Sequence, residues 1–88
     1  MATVRYEYVV VRGKFNEGRM SIVSIPDDSE AKMLKKQFSG HHLSTYKGMI
    51  RLTKQPGEVV NYLGRLGYKV ISTTNTEGEV VWTMQKEI

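Results

Sequence analysis

The 88-residue chain has no cysteine, so it can form neither a disulfide bond nor a metal site built on thiolates. Its two histidines, His41 and His42, are adjacent. Neighbouring side chains point in different directions on a strand or a helix, and no acidic residue stands beside the pair at ligand spacing. We therefore expect no metal site and interpret the pair as part of a solvated loop.

Long apolar runs and nucleophile motifs are also missing. No stretch approaches the roughly 18 apolar residues of a membrane-spanning helix, and the N-terminus has no signal-peptide layout. No serine lies in a G-x-S-x-G turn. Gly13 and Gly18 have the spacing of a phosphate-binding loop, but Arg19 and Met20 follow instead of Lys and Ser or Thr. We predict a cytoplasmic protein that is not an enzyme, binds no cofactor and has no membrane partner.

The charge is moderately basic. Thirteen Lys and Arg residues stand against 9 Asp and Glu, which gives a formal net charge of +4. A basic patch could contact the phosphates of nucleic acid, with a strong dependence on salt. Its candidate members come from the middle of the chain: Lys32, Lys35, Lys36, Lys47, Arg51 and Lys54, with Tyr46 beside them. The alternative, which the interspersed acidic residues favour, is an ordinary solvated face.

The length predicts one domain, residues 1–88. A chain this short buries only about 60% of its unfolded surface, so association with further copies would add stability. The first strand alternates apolar and mixed positions, with Val4, Tyr6, Tyr8 and Val10 on the apolar face. The valine run 9–11 predicts a strand that is buried on both faces or covered by another subunit.

A second strand and a helix follow. Residues 20–25 predict a short strand that ends at Pro26, because proline cannot donate to a β-ladder. Asp27 with Glu30 three residues later is a variant of the capping box at a helix start. The helix has its buried stripe at Ala31, Leu34 and Phe38. Residues 41–45 are interpreted as a connector, and residues 46–52 as a third strand.

The last third of the chain gives the clearest pattern. Pro56 suits the first position of a helix, whose apolar stripe is Val59, Leu63 and Leu66. Gly67 suits the left-handed helix end. Strands are predicted at 69–74 and 79–86, with residues 75–78 as the reversing turn. The predicted fold is therefore α+β in the order β-β-α-β-α-β-β, with a mainly antiparallel sheet, two helices on one face and two exposed edges that favour a homo-oligomer.

The segment Pro56-Gly-Glu-Val-Val-Asn-Tyr-Leu-Gly-Arg-Leu-Gly-Tyr-Lys-Val-Ile-Ser resembles one in the GTP cyclohydrolase I feedback regulatory protein family. In that family the segment begins at a proline and runs through a leucine helix to Gly-aromatic-basic-Val-aliphatic-Ser. The likeness continues through Val81-Trp82 to Lys86-Glu87, and in the first part of the chain Tyr6 and Gly18 fall into place.

The resemblance implies a non-enzymatic adaptor. In the family a ring of five docks on each face of decameric GTP cyclohydrolase I and transmits inhibition by tetrahydrobiopterin and stimulation by phenylalanine. By position, the phenylalanine-contact regions correspond to Gly13, Lys14 and Phe15, and to Asn75, Thr76, Glu77, Gly78 and Glu79. The family has an aliphatic residue and Arg where this chain has Gly13 and Lys14, and a glutamine where it has Gly78.

Trp82 alternates with Val80 and Met84 on one strand face, which predicts either core packing or the wall of a pocket or subunit contact. Two other functions stay open at this point. One is a small basic nucleic-acid-binding module. The other is a bacterial or phage protein-interaction domain of the same fold with another partner.

Overall fold

The computed structural model of the protein describes residues 3–14 and 20–88, with Thr76 described by its backbone alone. Within these ranges the chain forms six strands and two helices in the order β-β-α-β-β-α-β-β. The strands are β1 (Tyr6–Lys14), β2 (Ser21–Ser24), β3 (His42–Tyr46), β4 (Met49–Leu52), β5 (Lys69–Thr76) and β6 (Glu79–Glu87). The helices are α1 (Asp28–Gln37) and α2 (Pro56–Arg65).

All six strands belong to one antiparallel sheet with the order β3-β4-β2-β1-β6-β5. The predicted α+β class with a mainly antiparallel sheet is therefore confirmed, and the structure adds one strand to the predicted order. The chain from His42 to Tyr46, interpreted from sequence as a connector and the start of a strand, forms β3. All five of its residues are exposed, so the segment has no alternation of apolar and polar residues by which to recognise it.

Both helices begin where the sequence predicts and α2 also ends there, whereas α1 ends at Gln37, so Phe38 of its predicted stripe is the C-cap. Asp27 caps α1, because its Oδ1 accepts a hydrogen bond of 3.0 Å from the Glu30 amide. Pro56 begins α2, and Gly67 follows its end with φ of 102°, a left-handed conformation that glycine adopts without strain. No helix in residues 3–14 and 20–88 has the length and apolar content needed to cross a membrane.

Both helices pack on the same face of the sheet, which we call the core face. Helix residues Leu34 and Leu63 are fully buried there against strand residues such as Val23 and Ile50. The burial of this contiguous apolar cluster is the main source of stability. The other members of the cluster are Val9, Val11, Ile25, Phe38, Leu52, Val59, Tyr68 and Met84.

The sheet face opposite the helices is the open face. Tyr6 and Tyr8, which the alternation placed on the apolar side of β1, lie on the open face and are 46% and 48% exposed. Val9 and Val11 lie on the core face and are fully buried. Alternation therefore located the strand but did not identify its buried side, because valine and tyrosine occupy both faces. Val10, in the middle of the valine run, is half-buried on the open face.

Candidate functional site

The sheet brings together the two regions that the sequence assigned to an effector interface. β1 and β6 are antiparallel neighbours, with Gly13 opposite Val80 and Lys14 opposite Glu79. Glu79 in turn pairs with Thr76 of β5. The end of β1 and the β5–β6 turn, more than sixty residues apart in sequence, thus lie at one end of the sheet. The predicted site residue Phe15 lies outside the described residues.

A tight reversal separates β5 from β6. Glu77 has φ of 53° and Gly78 has φ of 79°, so both turn residues are left-handed, as in the two-residue turns that suit the twist of a β-hairpin. Asn75, Glu77 and Gly78 are exposed, and Glu79 is half-buried. The predicted turn is therefore present, and it is shorter than expected because β5 continues through Thr76.

A hollow of about 200 Å³ lies where the end of β1 meets the start of α2, and we call it the β1–α2 hollow. Two predicted site residues from β1 and one from β6 line it together with the first turn of α2. The lining residues are Gly13, Lys14, Gln55, Pro56, Gly57, Val80 and Trp82. The contribution of α2 was not predicted as part of the site, because no local sequence signal reports which strand end a helix start will approach.

Close packing of a helix on a bare strand backbone forms the floor of the hollow. A Cβ atom placed on Gly13 would lie 2.0 Å from Cγ of Pro56, far inside contact distance. Pro56 is itself buried. The absence of a side chain at position 13 therefore lets the start of α2 rest directly on β1.

Trp82 lies between the core and the hollow. Its neighbours on the same strand face, Val80 and Met84, are 5% and 1% exposed, so this face of β6 belongs to the core. Trp82 is half-buried, packs against the core cluster and also lines the β1–α2 hollow.

The chemistry of the hollow suits the binding of a small ligand. Among the residues that the structure describes, its lining includes no acid, histidine or hydroxyl side chain. Trp82, Val80 and Pro56 give an apolar wall, and the ammonium of Lys14 gives positive charge at the rim. α2 begins without a side-chain cap, and the N-terminus of a helix favours negative charge. A small ligand with an apolar body and a carboxylate fits these properties.

A second polar cluster lies away from the hollow, beneath the start of α1. Tyr68 Oη donates hydrogen bonds of 2.7 Å to Glu30 Oε1 and 3.1 Å to Glu7 Oε2. Lys86 Nζ donates to Glu30 Oε2, and Glu30 is only 8% exposed. Burial and the neighbouring carboxylates, Glu30 first, hold the pKa of Tyr68 well above its usual range, so the phenol stays a donor.

This cluster corrects the capping-box prediction in part. The Glu30 amide is capped by Asp27, but the Glu30 carboxylate turns away to Tyr68 and Lys86. Oxygen atoms of Glu7, Asp27 and Glu30 lie within 4.8 Å of one another, a spacing that a metal ion could use. The Lys86 ammonium already supplies the positive charge these carboxylates need, so the arrangement is that of a structural ion network.

The predicted basic patch is divided between different parts of the molecule. Lys32 and Lys36 are exposed on α1, whereas Arg51 lies on the open face, between the buried residues Ile50 and Leu52. Lys54 forms an ion pair with Glu58, with 3.8 Å between Lys54 Nζ and Glu58 Oε1. The six cations therefore form no single surface. The histidines also separate, since His41 Nδ1 lies 3.3 Å from Thr53 Oγ1 and His42 Nε2 lies 2.6 Å from Thr45 Oγ1.

Comparison with known proteins gives one family match. The sequence profile of the family described as GTP cyclohydrolase I feedback regulatory protein matches residues 19–87 of this chain. The match covers both helices and strands β2 to β6 in full. It therefore includes the β5–β6 turn and Trp82. No curated protein matches the chain.

Proposed function

The chain belongs to the GTP cyclohydrolase I feedback regulatory protein family, and from this membership we propose that it docks as a homo-oligomer on GTP cyclohydrolase I and makes the enzyme respond to small effectors. In this role it is a cytoplasmic regulatory protein and performs no catalysis of its own. The observation that carries the proposal beyond the family match is the β1–α2 hollow, which Gly13 and Lys14 of the first effector-contact region line, while Glu79 of the second region pairs with Lys14 on the neighbouring strand.

The hollow supports a role in effector binding because it is open on one side. A ligand resting against Trp82 and Val80 would expose its other side to solvent until a partner surface covered it. Such a ligand binds more tightly to the complex than to the separate proteins, and by linkage it strengthens the complex by the same factor. Coupling of this kind is typically about 5- to 150-fold.

Phenylalanine, the effector that the family resemblance implies, has the properties this hollow favours. Its ring would lie against the apolar wall, and its carboxylate would face Lys14 and the start of α2. Gly13 and Lys14 replace the aliphatic residue and arginine of the family, so the wall is lower and the cation is a lysine ammonium.

The free edges of the sheet support self-association. β3 and β5 are the two edge strands, and each presents exposed apolar residues: Leu43 at 53%, Val70 at 42% and Ile71 at 47%. Unpaired edges with apolar side chains favour pairing with a neighbouring chain. Pairing one edge with the different edge of the next copy would be a heterologous contact, which gives a ring where the rotation between copies closes. We propose a ring of five, as in the family.

The test combines solution mass with enzyme response. Light scattering of the full chain, alone and with GTP cyclohydrolase I, should give a mass near five copies that moves into the enzyme peak. Phenylalanine should strengthen that association and raise enzyme activity, and tetrahydrobiopterin should favour the inhibited complex. A monomer that ignores the enzyme under every effector condition would refute the proposal.

Variants then locate the effector. Lys14→Gln should weaken the phenylalanine response by about 5- to 10-fold, because it removes a charge-assisted contact. Trp82→Phe should reduce it less, since an aromatic ring is retained. Lys36→Gln on α1 carries the same charge change at an exposed site remote from the hollow and should leave the response unchanged. If Lys36→Gln and Lys14→Gln have equal effects, the hollow is not the effector site.

A further inference from the structure

Two arginines stand in one row across the open face. The strand register places Arg51 of β4 beside Ile22 of β2, and Ile22 beside Arg12 of β1. The arginines are therefore two strands apart, at about 10 Å. Both are exposed, and within residues 3–14 and 20–88 neither forms an ion pair. They share a hollow of about 180 Å³ with Lys14 and Glu79, and Ile22 and Met20 give it an apolar floor.

Exposed tyrosines flank this row. Tyr46 of β3 pairs with Met49 of β4, and this pair lies in the row next to the arginines. Tyr46 is 69% exposed. Lys47 Nζ lies 5.4 Å from the centre of the Tyr46 ring. On β1, Tyr8 lies two positions from Val10 and four from Arg12, on the same face, and is 48% exposed. The open face thus carries an exposed aromatic ring on β3 and another on β1, in different rows from the two arginines.

Acidic residues do not interrupt the centre of this surface. By register, the open-face acids among the described strand residues are Glu79 and Glu87, at the two ends of β6. Glu79 lies opposite Lys14 at one end of the hollow, so the three cations Arg12, Arg51 and Lys14 outnumber the one acid there and leave an excess of positive charge over an apolar floor. A ligand that complements this surface carries several negative charges that are up to about 10 Å apart, with planar groups between them.

We propose that the open face binds single-stranded nucleic acid. Arg12, Arg51 and Lys14 would hold backbone phosphates, and unstacked bases would lie on Tyr46 and Tyr8. Base–aromatic stacking tolerates any sequence, because every base has a flat face. A duplex hides those faces within its stack, so this surface distinguishes single strands from double strands.

A second copy of the chain packed face to face on this surface is a poorer occupant. Packing two open faces together about a two-fold axis would bring the arginine row of one copy against that of the other, and like charges would be buried together. The charge complementarity thus favours a polyanion. This surface lies on the opposite side of the sheet from the helices, and it meets an edge proposed for self-association only at Tyr46 of β3.

The test is fluorescence anisotropy with the full chain and a labelled oligouridylate of about twelve nucleotides, a length within the usual site sizes of about 4–16. A labelled duplex of the same length is titrated in parallel for comparison. Titrations at about 50 mM and about 200 mM KCl give the salt slope, which three phosphate contacts would place near about −2. We expect the single strand to bind at least about tenfold more tightly than the duplex.

Matched variants separate this surface from general basicity. Arg12→Gln with Arg51→Gln should weaken binding by at least about tenfold and reduce the salt slope to about −0.7. Lys32→Gln with Lys36→Gln removes the same charge from α1 and should leave the slope near the wild-type value. Tyr46→Ala should weaken binding by about 5- to 100-fold, and Tyr46→Phe should restore it, because the ring and not the hydroxyl stacks.

Three results would overturn the proposal. The first is absence of binding at the lower salt concentration. The second is an equal loss of oligonucleotide affinity in the Arg12/Arg51 double variant and the Lys32/Lys36 double variant, which would indicate nonspecific electrostatic attraction. The third is a change in solution mass, and not in oligonucleotide affinity, when Arg12 and Arg51 are replaced, since that would make the open face a contact between copies. Circular dichroism of each variant confirms that these exposed substitutions leave the fold intact.

Discussion

Pro56 rests on the bare backbone of Gly13. A Cβ atom on Gly13 would stand 2.0 Å from Cγ of Pro56 and 3.1 Å from its Cβ, so no other residue fits without moving α2. Proline in turn suits this position, because the first residue of a helix needs no amide donor. The contact joins the end of β1 to the start of α2 and forms the floor of the β1–α2 hollow.

Gly13→Ala should therefore destabilise the protein by about 1–3 kcal/mol, the usual cost of overpacking a tight contact. The midpoint of urea unfolding measures the effect. Gly57→Ala is the matched control, because a Cβ there would meet nothing within 4 Å and alanine favours the helix. We expect the control to be neutral or slightly stabilising. Equal midpoints for Gly13→Ala and the wild type would mean that α2 can shift without cost. The shape of the β1–α2 hollow would then not be fixed by this contact.

The hairpin turns give a stabilising prediction. Lys47 and Glu77 are non-glycine residues in the left-handed region, at φ of 48° and 53°. Asparagine tolerates this conformation better than lysine or glutamate, and Asn-Gly is the preferred pair in such turns. Glu77→Asn should raise the thermal midpoint by the equivalent of about 0.5 kcal/mol. Glu77→Val should lower the thermal midpoint, because a β-branched side chain does not suit the left-handed conformation. A higher midpoint for Glu77→Val than for Glu77→Asn would contradict the turn geometry.

Much of the fold could be predicted because its signals are local. The helix α2 has a proline at its start, a three-residue apolar stripe and a glycine after its end, and these place it to within a residue or two. β3 gave no signal, because all five of its residues are exposed and its pairing with β4 depends on the turn at Lys47 and Gly48. Edge strands of this kind are specified by their neighbour and not by their own pattern.

The candidate site could be predicted only in part because it is assembled by register. The family resemblance named Gly13, Lys14 and the β5–β6 turn, and pairing of β1 with β6 brings them together. Neither Gln55 nor Gly57 has a feature that indicates a place in the same hollow. Likewise the arginine row of the open face requires the pairings of three strands, which no single segment reveals.

Breaking the ion network should cost more than breaking a surface pair. Lys86→Met leaves Glu30, whose side chain is 11% exposed, without its cation. We expect a loss of about 3 kcal/mol in the free energy of unfolding, because an unpaired buried charge remains. Lys54→Met removes the partner of Glu58, which is 51% exposed, and should cost less than about 1 kcal/mol. Urea unfolding of both variants makes the comparison, and similar losses would show that the Glu30 network is solvated.

Tyr68 should make stability fall in alkali. Its pKa is raised in the folded protein by burial and by its hydrogen bond to Glu30, so the folded state keeps the phenol proton when the unfolded state has lost it. The unfolded phenol titrates near about pH 10. Below that pH the stabilisation from Tyr68 is fully present. Above it the unfolded state binds fewer protons than the folded state, so the free energy of unfolding decreases as pH rises.

Tyr68→Phe isolates this effect. Without the hydroxyl, Glu30 and Glu7 lose a shared donor, and we expect a loss of about 1–3 kcal/mol at about pH 8. The difference in unfolding free energy between wild type and variant should then shrink above about pH 10, by up to about 1.4 kcal/mol per pH unit. Urea unfolding between about pH 8 and about pH 11 measures it. A difference that stays constant over this range would mean that Tyr68 titrates alike in both states, and that the hydroxyl is neither buried nor bound to the carboxylates.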